Sequence, residues 1–304
     1  MKNLLEKARA ECLGYTNDGT VASYIPELAK ARPDTLGICI MTESGAFAVG
    51  DCDKEFTMQS VVKPMILLLA LMDNGLERVR ELVGVEATGK PFDTFNYSDR
   101  PLTGAHINPM VNAGAIALLT LISGDTYAEK FERLLTLTRT LAGNPSLEVD
   151  EAVYLSESET GNKNRALAYM LKAYGMISCE VDEVVDIYFR ACSIKVNCRD
   201  LARIALVLSA KGKDPKSGEQ LFPAEYARCV NAILSICGMY DGSGEFALNV
   251  GIPAKSGVGG GIMAVVPSRM GIGTYSPSLD KKGNSLAGVK ALELLSRELN
   301  LSIF

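Results

Sequence analysis

Ser60-Val61-Val62-Lys63 places a hydroxyl and an amine three residues apart. On a helix that spacing separates the two side chains by roughly 60° about the axis, so both point into the same space. A serine hydroxyl needs a base to become a nucleophile, and a lysine amine is one of the groups able to serve. Pro64 is tolerated only in the first turn of a helix, which puts Ser60 at a helix N-terminus, where partial positive charge favours an oxyanion. The same proline biases Lys63 away from helical angles, so the local backbone is in tension with the pattern. For Lys63 to work as a base near neutral pH, burial or a neighbouring cation has to disfavour its ammonium form.

The pattern occurs again at Ser278-Leu279-Asp280-Lys281, within a Pro/Gly/Asp-rich stretch that reads as a solvated turn. The companion of such a dyad in acyl-transfer enzymes is a Lys-Ser/Thr-Gly element on a strand. It too is found twice. Lys216-Ser217-Gly218 lies in a polar loop, whereas Lys255-Ser256-Gly257 leads through Val258 into the apolar run Ile262–Val266. The latter context suits chemistry, because strand-end backbone N–H groups can face a cleft and hold an oxyanion.

Composition narrows the alternatives. The chain of 304 residues holds one histidine, His106, which removes zinc sites built on two or three histidines and leaves almost no room for a Ser-His pair. With 31 Lys+Arg against 36 Asp+Glu the net charge is −5, so neither nucleic acid nor an anionic membrane is an expected partner. Eight cysteines are scattered without a Cys-x-x-Cys pair, and Met1 runs straight into the polar segment 2–7, which is not a signal peptide. The longest apolar run, 65–72, is far short of the roughly 18–20 residues that span a bilayer. The expectation is a reduced, cytoplasmic protein with no metal and no cofactor. Gly257-Val258-Gly259-Gly260-Gly261 and Gly271-Ile272-Gly273 match no nucleotide-binding fingerprint.

The elements that must position the dyad come from both ends of the chain. Leu36–Met41 and Ala46–Gly50, joined by Thr42-Glu43-Ser44-Gly45, predict a β-hairpin. Helices are predicted at 60–74, 109–123, 126–142, 164–174, 181–192, 199–211 and 223–238, several closed by a glycine such as Gly75, Gly143, Gly175 or Gly212. Strands return at 245–250, 261–266 and 269–275, and 284–300 predicts an amphipathic helix. Strands at both ends with helices between them imply an α+β fold. We expect a mixed, mainly antiparallel sheet built from both chain ends, flanked by helices and carrying a large helical insertion. The expected organisation is one catalytic domain over 1–304, with a sheet lobe of 1–59 and 245–304 and a helical lobe of 60–244. The cleft should lie between the lobes.

Five segments, taken in order, resemble the motifs of the serine-dependent glutaminases. They are Phe56–Pro64, Asn108–Ile116, Ser156–Gly161, Cys237–Asp241 and Lys255–Val258, within a resemblance running from about Tyr24 to Ser285. The resemblance implies hydrolysis of the side-chain amide of L-glutamine to glutamate and ammonia, on a fold similar to serine β-lactamases and transpeptidases. Carried over by position, Ser60 is the nucleophile and Lys63 its base, and the N–H groups of Ser60 and Val258 form the oxyanion hole. Tyr240 relays a proton or helps activate Ser60, and also contacts substrate, while Tyr24 lines the pocket beside it. Asn112, Glu157, Asn164, Tyr188 and Val258 hold the substrate. The resemblance also implies a homodimer or homotetramer.

Residue chemistry agrees with part of this. An amino-acid substrate presents an ammonium and a carboxylate; Glu157 suits the first, and Asn112, Asn164 and Tyr188 the second. Glu157 and Asn164 are seven apart, about two helical turns, but Thr160-Gly161 argues against one continuous helix. His106 falls outside every motif and is expected near the site entrance without a chemical task. Two other readings of the dyad are a β-lactamase or peptidase acting on cell-wall-like amides, and a sensor that kept the fold without the chemistry. The first lacks a recognisable Ser-x-Asn or Tyr-x-Asn element, and the second sits poorly with intact Ser60–Lys63 and Lys255–Gly257.

Overall fold

The computed structural model describes residues 1–87 and 107–304; His106 lies outside them. Eleven helices occur among the described residues: α1 (Lys2–Cys12), α2 (Lys63–Leu82), α3 (Asn112–Leu119), α4 (Tyr127–Ala142), α5 (Glu151–Thr160), α6 (Asn162–Ala173), α7 (Val181–Cys192), α8 (Cys198–Ser209), α9 (Ala224–Cys237), α10 (Ser243–Asn249) and α11 (Leu286–Leu299). The strands are β1 (Thr20–Val21), β2 (Gly37–Thr42), β3 (Gly45–Gly50), β4 (Phe56–Thr57), β5 (Lys195–Val196), β6 (Ala254–Ser256), β7 (Gly261–Val266), β8 (Met270–Tyr275) and β9 (Ser278–Leu279).

The main sheet has the order β3-β2-β8-β7-β6 with every pair antiparallel. The expected hairpin is β2–β3, and it meets the C-terminal strands through the β2–β8 pair, with Ile40 opposite Ile272. Alternation along the strands sorts the two faces. Ile38, Ile40, Ile262, Ala264 and Ile272 pack with Leu5 and Ala8 of α1 and Leu292 and Leu295 of α11. Cys39, Met263, Val265 and Tyr275 point the other way, into the larger core shared with α2, α3, α7, α8 and α9.

Helix α8 belongs to the middle of the chain yet lies directly on the sheet. A Cβ on Gly271 would fall 2.0 Å from the Ala202 carbonyl oxygen, and one on Gly273 would fall 2.1 Å from that of Cys198. These two glycines therefore serve helix–sheet contact rather than phosphate binding. Helix α2 is the hub of the other layer: Met65 through Leu71 are all buried, as a helix apolar all round must be. It breaks at Gly75, which takes a left-handed φ of 77°.

Predicted strand 245–250 is corrected: this stretch is α10. Phe246 and Val250 are buried one turn apart while Leu248 is 85% exposed, a helical rather than an alternating pattern.

Candidate active site

Three segments converge on Ser60. Strand β4 pairs with β5, and the Met58 N–H donates to the Ile194 carbonyl at 2.9 Å, tying the approach to Ser60 onto the segment that follows α7. Gln59 then adopts φ 47°, a left-handed angle uncommon for a side-chain-bearing residue, and the chain turns sharply through Gln59–Val62 into α2. Pro64 sits in the first turn, as expected. Lys63 is helical in spite of it, at φ −57° and ψ −40°, so the preference of a residue before proline yields here to the surrounding packing.

Lys63 is fully buried. Its Nζ lies 2.7 Å from Ser60 Oγ and donates to Asn112 Oδ1 at 2.8 Å. Asn112 opens α3, and its Nδ2 donates to Asn164 Oδ1 of α6 at 2.8 Å. One polar line thus runs from Ser60 through Lys63 and Asn112 to Asn164. Gly114 lets α3 approach so closely, since a Cβ there would fall 2.0 Å from the Asn108 carbonyl oxygen.

Glu157, on α5, is buried with Gln59 Nε2 3.4 Å from its Oε2. Burial raises its pKa from 4.5 to about 8, against the opposing pull of the Gln59 hydrogen bond and the Lys63 charge. Helix α5 ends at Thr160, and Asn164 follows in α6, so the two substrate-binding candidates reach the site from separate helices. A Cβ on Gly161, between them, would meet the Phe189 ring at 2.2 Å. Tyr188, on α7, is buried with its ring 6.0 Å from Lys63 Nζ. Burial first, then the neighbouring Cys192 and Glu157, push its phenol well above the ordinary range.

The turn between β6 and β7 closes the opposite side. A Cβ on Gly257 would lie 2.5 Å from the Met58 carbonyl oxygen and 3.4 Å from the Ser60 nitrogen, so this turn packs against the main chain at Ser60. Val258 follows in the same turn. Tyr240, with φ 52°, presents a buried phenol raised well above its ordinary pKa by burial, while the Ser60 side chain and the Val258 main chain draw it partly back. Lys255 is completely buried, donates to the carbonyls of Gly238 and Ser256 at 2.9 and 2.6 Å, and lies 4.3 Å from the centre of the Tyr240 ring. Burial, then the charge of Lys63, hold its pKa well below the ordinary lysine range.

Tyr24 is 57% exposed on the segment leading from β1. That segment is tied to the site by a hydrogen bond of 3.2 Å from the Glu27 N–H to Ser156 Oγ, next to Glu157. Sequence reasoning passed over Gln59. Its amide touches Glu157 and Thr57 Oγ1, at 3.4 and 3.3 Å, and its place immediately before Ser60 was the one available signal.

A family model described as Glutaminase matches residues 19–304. The chain belongs to the glutaminase family. It is 51% identical over 305 residues to a glutaminase of Clostridium tetani (strain Massachusetts / E88), covering all of both chains. It is also 51% identical to a glutaminase of Clostridioides difficile (strain 630), covering all of this chain and 98% of that protein. Among solved structures, a probable glutaminase from Bacillus subtilis complexed with 6-diazo-5-oxo-L-norleucine superposes with a TM-score of 0.91 at 38% identity, covering 100% of this chain and 97% of that one. A second Bacillus subtilis glutaminase structure, with a TM-score of 0.91 at 37% identity and covering 100% and 99% of the two chains, is a covalent complex with 5-oxo-L-norleucine, formed by reaction with 6-diazo-5-oxo-L-norleucine. The α+β reading, with its β-lactamase-like fold, stands for this glutaminase as it does for those neighbours. No helix among the described residues is long and apolar enough to cross a membrane.

Proposed function

We propose that this glutaminase hydrolyses the side-chain amide of L-glutamine to L-glutamate and ammonia through an ester on Ser60, with Lys63 as the base. The observation that carries the reading is the 2.7 Å contact between Lys63 Nζ and Ser60 Oγ, with Asn112 fixing the amine from the other side. A neutral Lys63 amine takes the Ser60 proton as Oγ bonds to the amide carbon. The resulting oxyanion is held by the N–H groups of Ser60 and Val258, the former aided by the helix terminus. The carbon–nitrogen bond then breaks as the proton passes from Lys63, with Tyr240 as relay, to the departing nitrogen. Water attacks the ester by the same route in reverse, with Lys63 again taking the proton, and glutamate leaves.

Glu157 receives the substrate ammonium, Asn112, Asn164 and Tyr188 steer the carboxylate end, and Tyr24 lines the entrance. The covalent adduct of the Bacillus subtilis relative supports a nucleophilic mechanism in the family. Residues 1–304 act as one catalytic domain, in which the sheet contributes the 257–258 turn, the helices contribute Lys63, Asn112, Glu157, Asn164 and Tyr188, and connecting segments contribute Tyr24, Ser60 and Tyr240. We further read the chain as a cytoplasmic homodimer or homotetramer, a reading supported by its eight unpaired cysteines and by exposed apolar side chains such as Leu248, Tyr169 and Phe304.

Ammonia release from glutamine and asparagine, measured in parallel on the wild type and on Ser60→Ala and Lys63→Ala, tests the proposal. Turnover of glutamine falling by about a thousandfold or more in both variants, with unchanged circular dichroism, is expected. Near-normal turnover in either variant refutes the dyad, and a preference for asparagine refutes the substrate.

A further inference from the structure

Tyr240 carries a side chain in a backbone region that suits glycine, with φ 52°. Such a conformation persists where neighbours over-determine it. Two buried polar side chains do so here. Ser243 Oγ accepts from the Met239 N–H at 3.0 Å and donates to the Tyr240 carbonyl at 2.9 Å, spanning the Met239–Tyr240 pair from its first N–H to its last carbonyl. Asn284 Nδ2 donates to the Met239 carbonyl at 3.2 Å. Ser243 is 7% exposed and Asn284 3%.

Asn284 is itself rigidly held. Its N–H donates to Asp280 Oδ1 at 2.9 Å, its carbonyl accepts from the Asp280 N–H at 2.8 Å, and Leu279 bridges to Ser285. The same turn borders the site: a Cβ on Gly283 would stand in ordinary contact with it, 3.6 Å from Tyr240 Cε2 and 3.7 Å from Val258 Cγ1. The segment that ends the sequence resemblance thus forms a closed turn against both the tyrosine and the proposed oxyanion-hole residue.

We infer that Asn284 and Ser243 are positioning residues for the reaction, holding Tyr240 in its left-handed conformation so that the phenol stays aimed at Ser60 and the Val258 main chain. The inference rests on the reading that Tyr240 acts in catalysis. Neither residue touches the substrate; each acts through the backbone at 239–240. Without them, residue 240 relaxes toward ordinary angles and the phenol swings off the nucleophile, so the loss falls on the chemical step more than on binding.

Steady-state kinetics of Asn284→Ala, Ser243→Ala, Ser243→Thr and Tyr240→Phe, with melting curves for each, test this. In Asn284→Ala and Ser243→Ala, kcat falls on the order of tenfold while KM stays within about twofold. Ser243→Thr keeps the hydroxyl and recovers most of kcat. Added to Tyr240→Phe, Asn284→Ala lowers the residual turnover by less than about twofold, because the group it positions is gone. Unchanged kcat in both alanine variants, or an equal loss in the Tyr240→Phe background, overturns the positioning role while leaving Tyr240 in the mechanism. Full activity in Tyr240→Phe overturns the underlying reading of Tyr240 instead.

Discussion

If Glu157 receives the substrate ammonium, as proposed above, substrate binding becomes a proton-coupled event. In the free enzyme burial holds its carboxyl at about 8, so at pH 7 it is about 90% protonated. A substrate ammonium can pair only with the carboxylate. Binding at pH 7 must therefore expel about 0.9 proton, at a cost of about 1.4 kcal/mol relative to the ionised site. The apparent Kd for glutamine should fall about tenfold from pH 6 to 7 and about another fivefold from 7 to 8, then level off. Calorimetric titration of Ser60→Ala with glutamine, in two buffers of different ionisation enthalpy, measures both the proton release and the slope. In Glu157→Gln the slope disappears, and binding at pH 9 weakens by about 2 kcal/mol or more through loss of the ion pair. A Kd flat between pH 6 and 8, or a slope that survives in Glu157→Gln, refutes the reasoning. The sign for stability is opposite to that of an ion-paired carboxylate such as Asp73. The folded state holds the proton more tightly than the unfolded one, so the unliganded enzyme should lose stability as pH rises from about 4.5 to about 8.

Other consequences are simpler to check. Gly114→Ala forces a Cβ into the Asn108 carbonyl, and we expect a loss of ~1–3 kcal/mol in urea denaturation together with a fall in kcat as Asn112 is displaced from Lys63. Asp73 on α2 accepts from the two terminal guanidinium nitrogens of Arg133 on α4, at 2.5 and 2.6 Å, and from the Ser123 N–H at 2.8 Å. Burial opposes its ionisation, yet the Arg133 and Ser123 bonds prevail and lower its pKa. Its contribution should be present above about pH 4 and fade as pH falls through the lowered value, and Asp73→Asn should destabilise by about 1–3 kcal/mol at pH 7 with little effect on KM.

What could be read from sequence follows from how locally each feature is encoded. Helix α7 was legible because Val181, Val184, Val185, Tyr188, Phe189 and Cys192 repeat at helical spacing and all are buried. The dyad was legible because its partners are three residues apart, and the break at Gly161 because glycine ends helices. Helix α10 was misread because seven residues hold too few turns for period 3.6 to separate from period 2. Helix α1 went unread because Leu5, Ala8 and Cys12 are its only buried positions among charged neighbours. Gln59 and Asn284 were silent for a different reason. Their importance lies in hydrogen bonds to Glu157, 98 residues away, and to Met239, 45 residues away, and no local pattern records such pairings.

The β2–β8 pairing bears on how the protein is made. Ile40 waits for Ile272, 232 residues later by subtraction, before its strand gains a neighbour on that side. At ribosomal speeds of about 5–20 residues per second, the hairpin spends on the order of ten to fifty seconds with an open edge. An open edge is an invitation to stray strands from other nascent chains, so early recruitment of a chaperone would shield this enzyme more than one whose sheet closes early. A chain interrupted before β6 would already carry Ser60, Lys63 and Asn112, yet lack the 257–258 turn that packs against the main chain at Ser60. On the proposed mechanism, unfinished copies would be silent, and amidase activity would appear only with roughly the last sixth of the polypeptide.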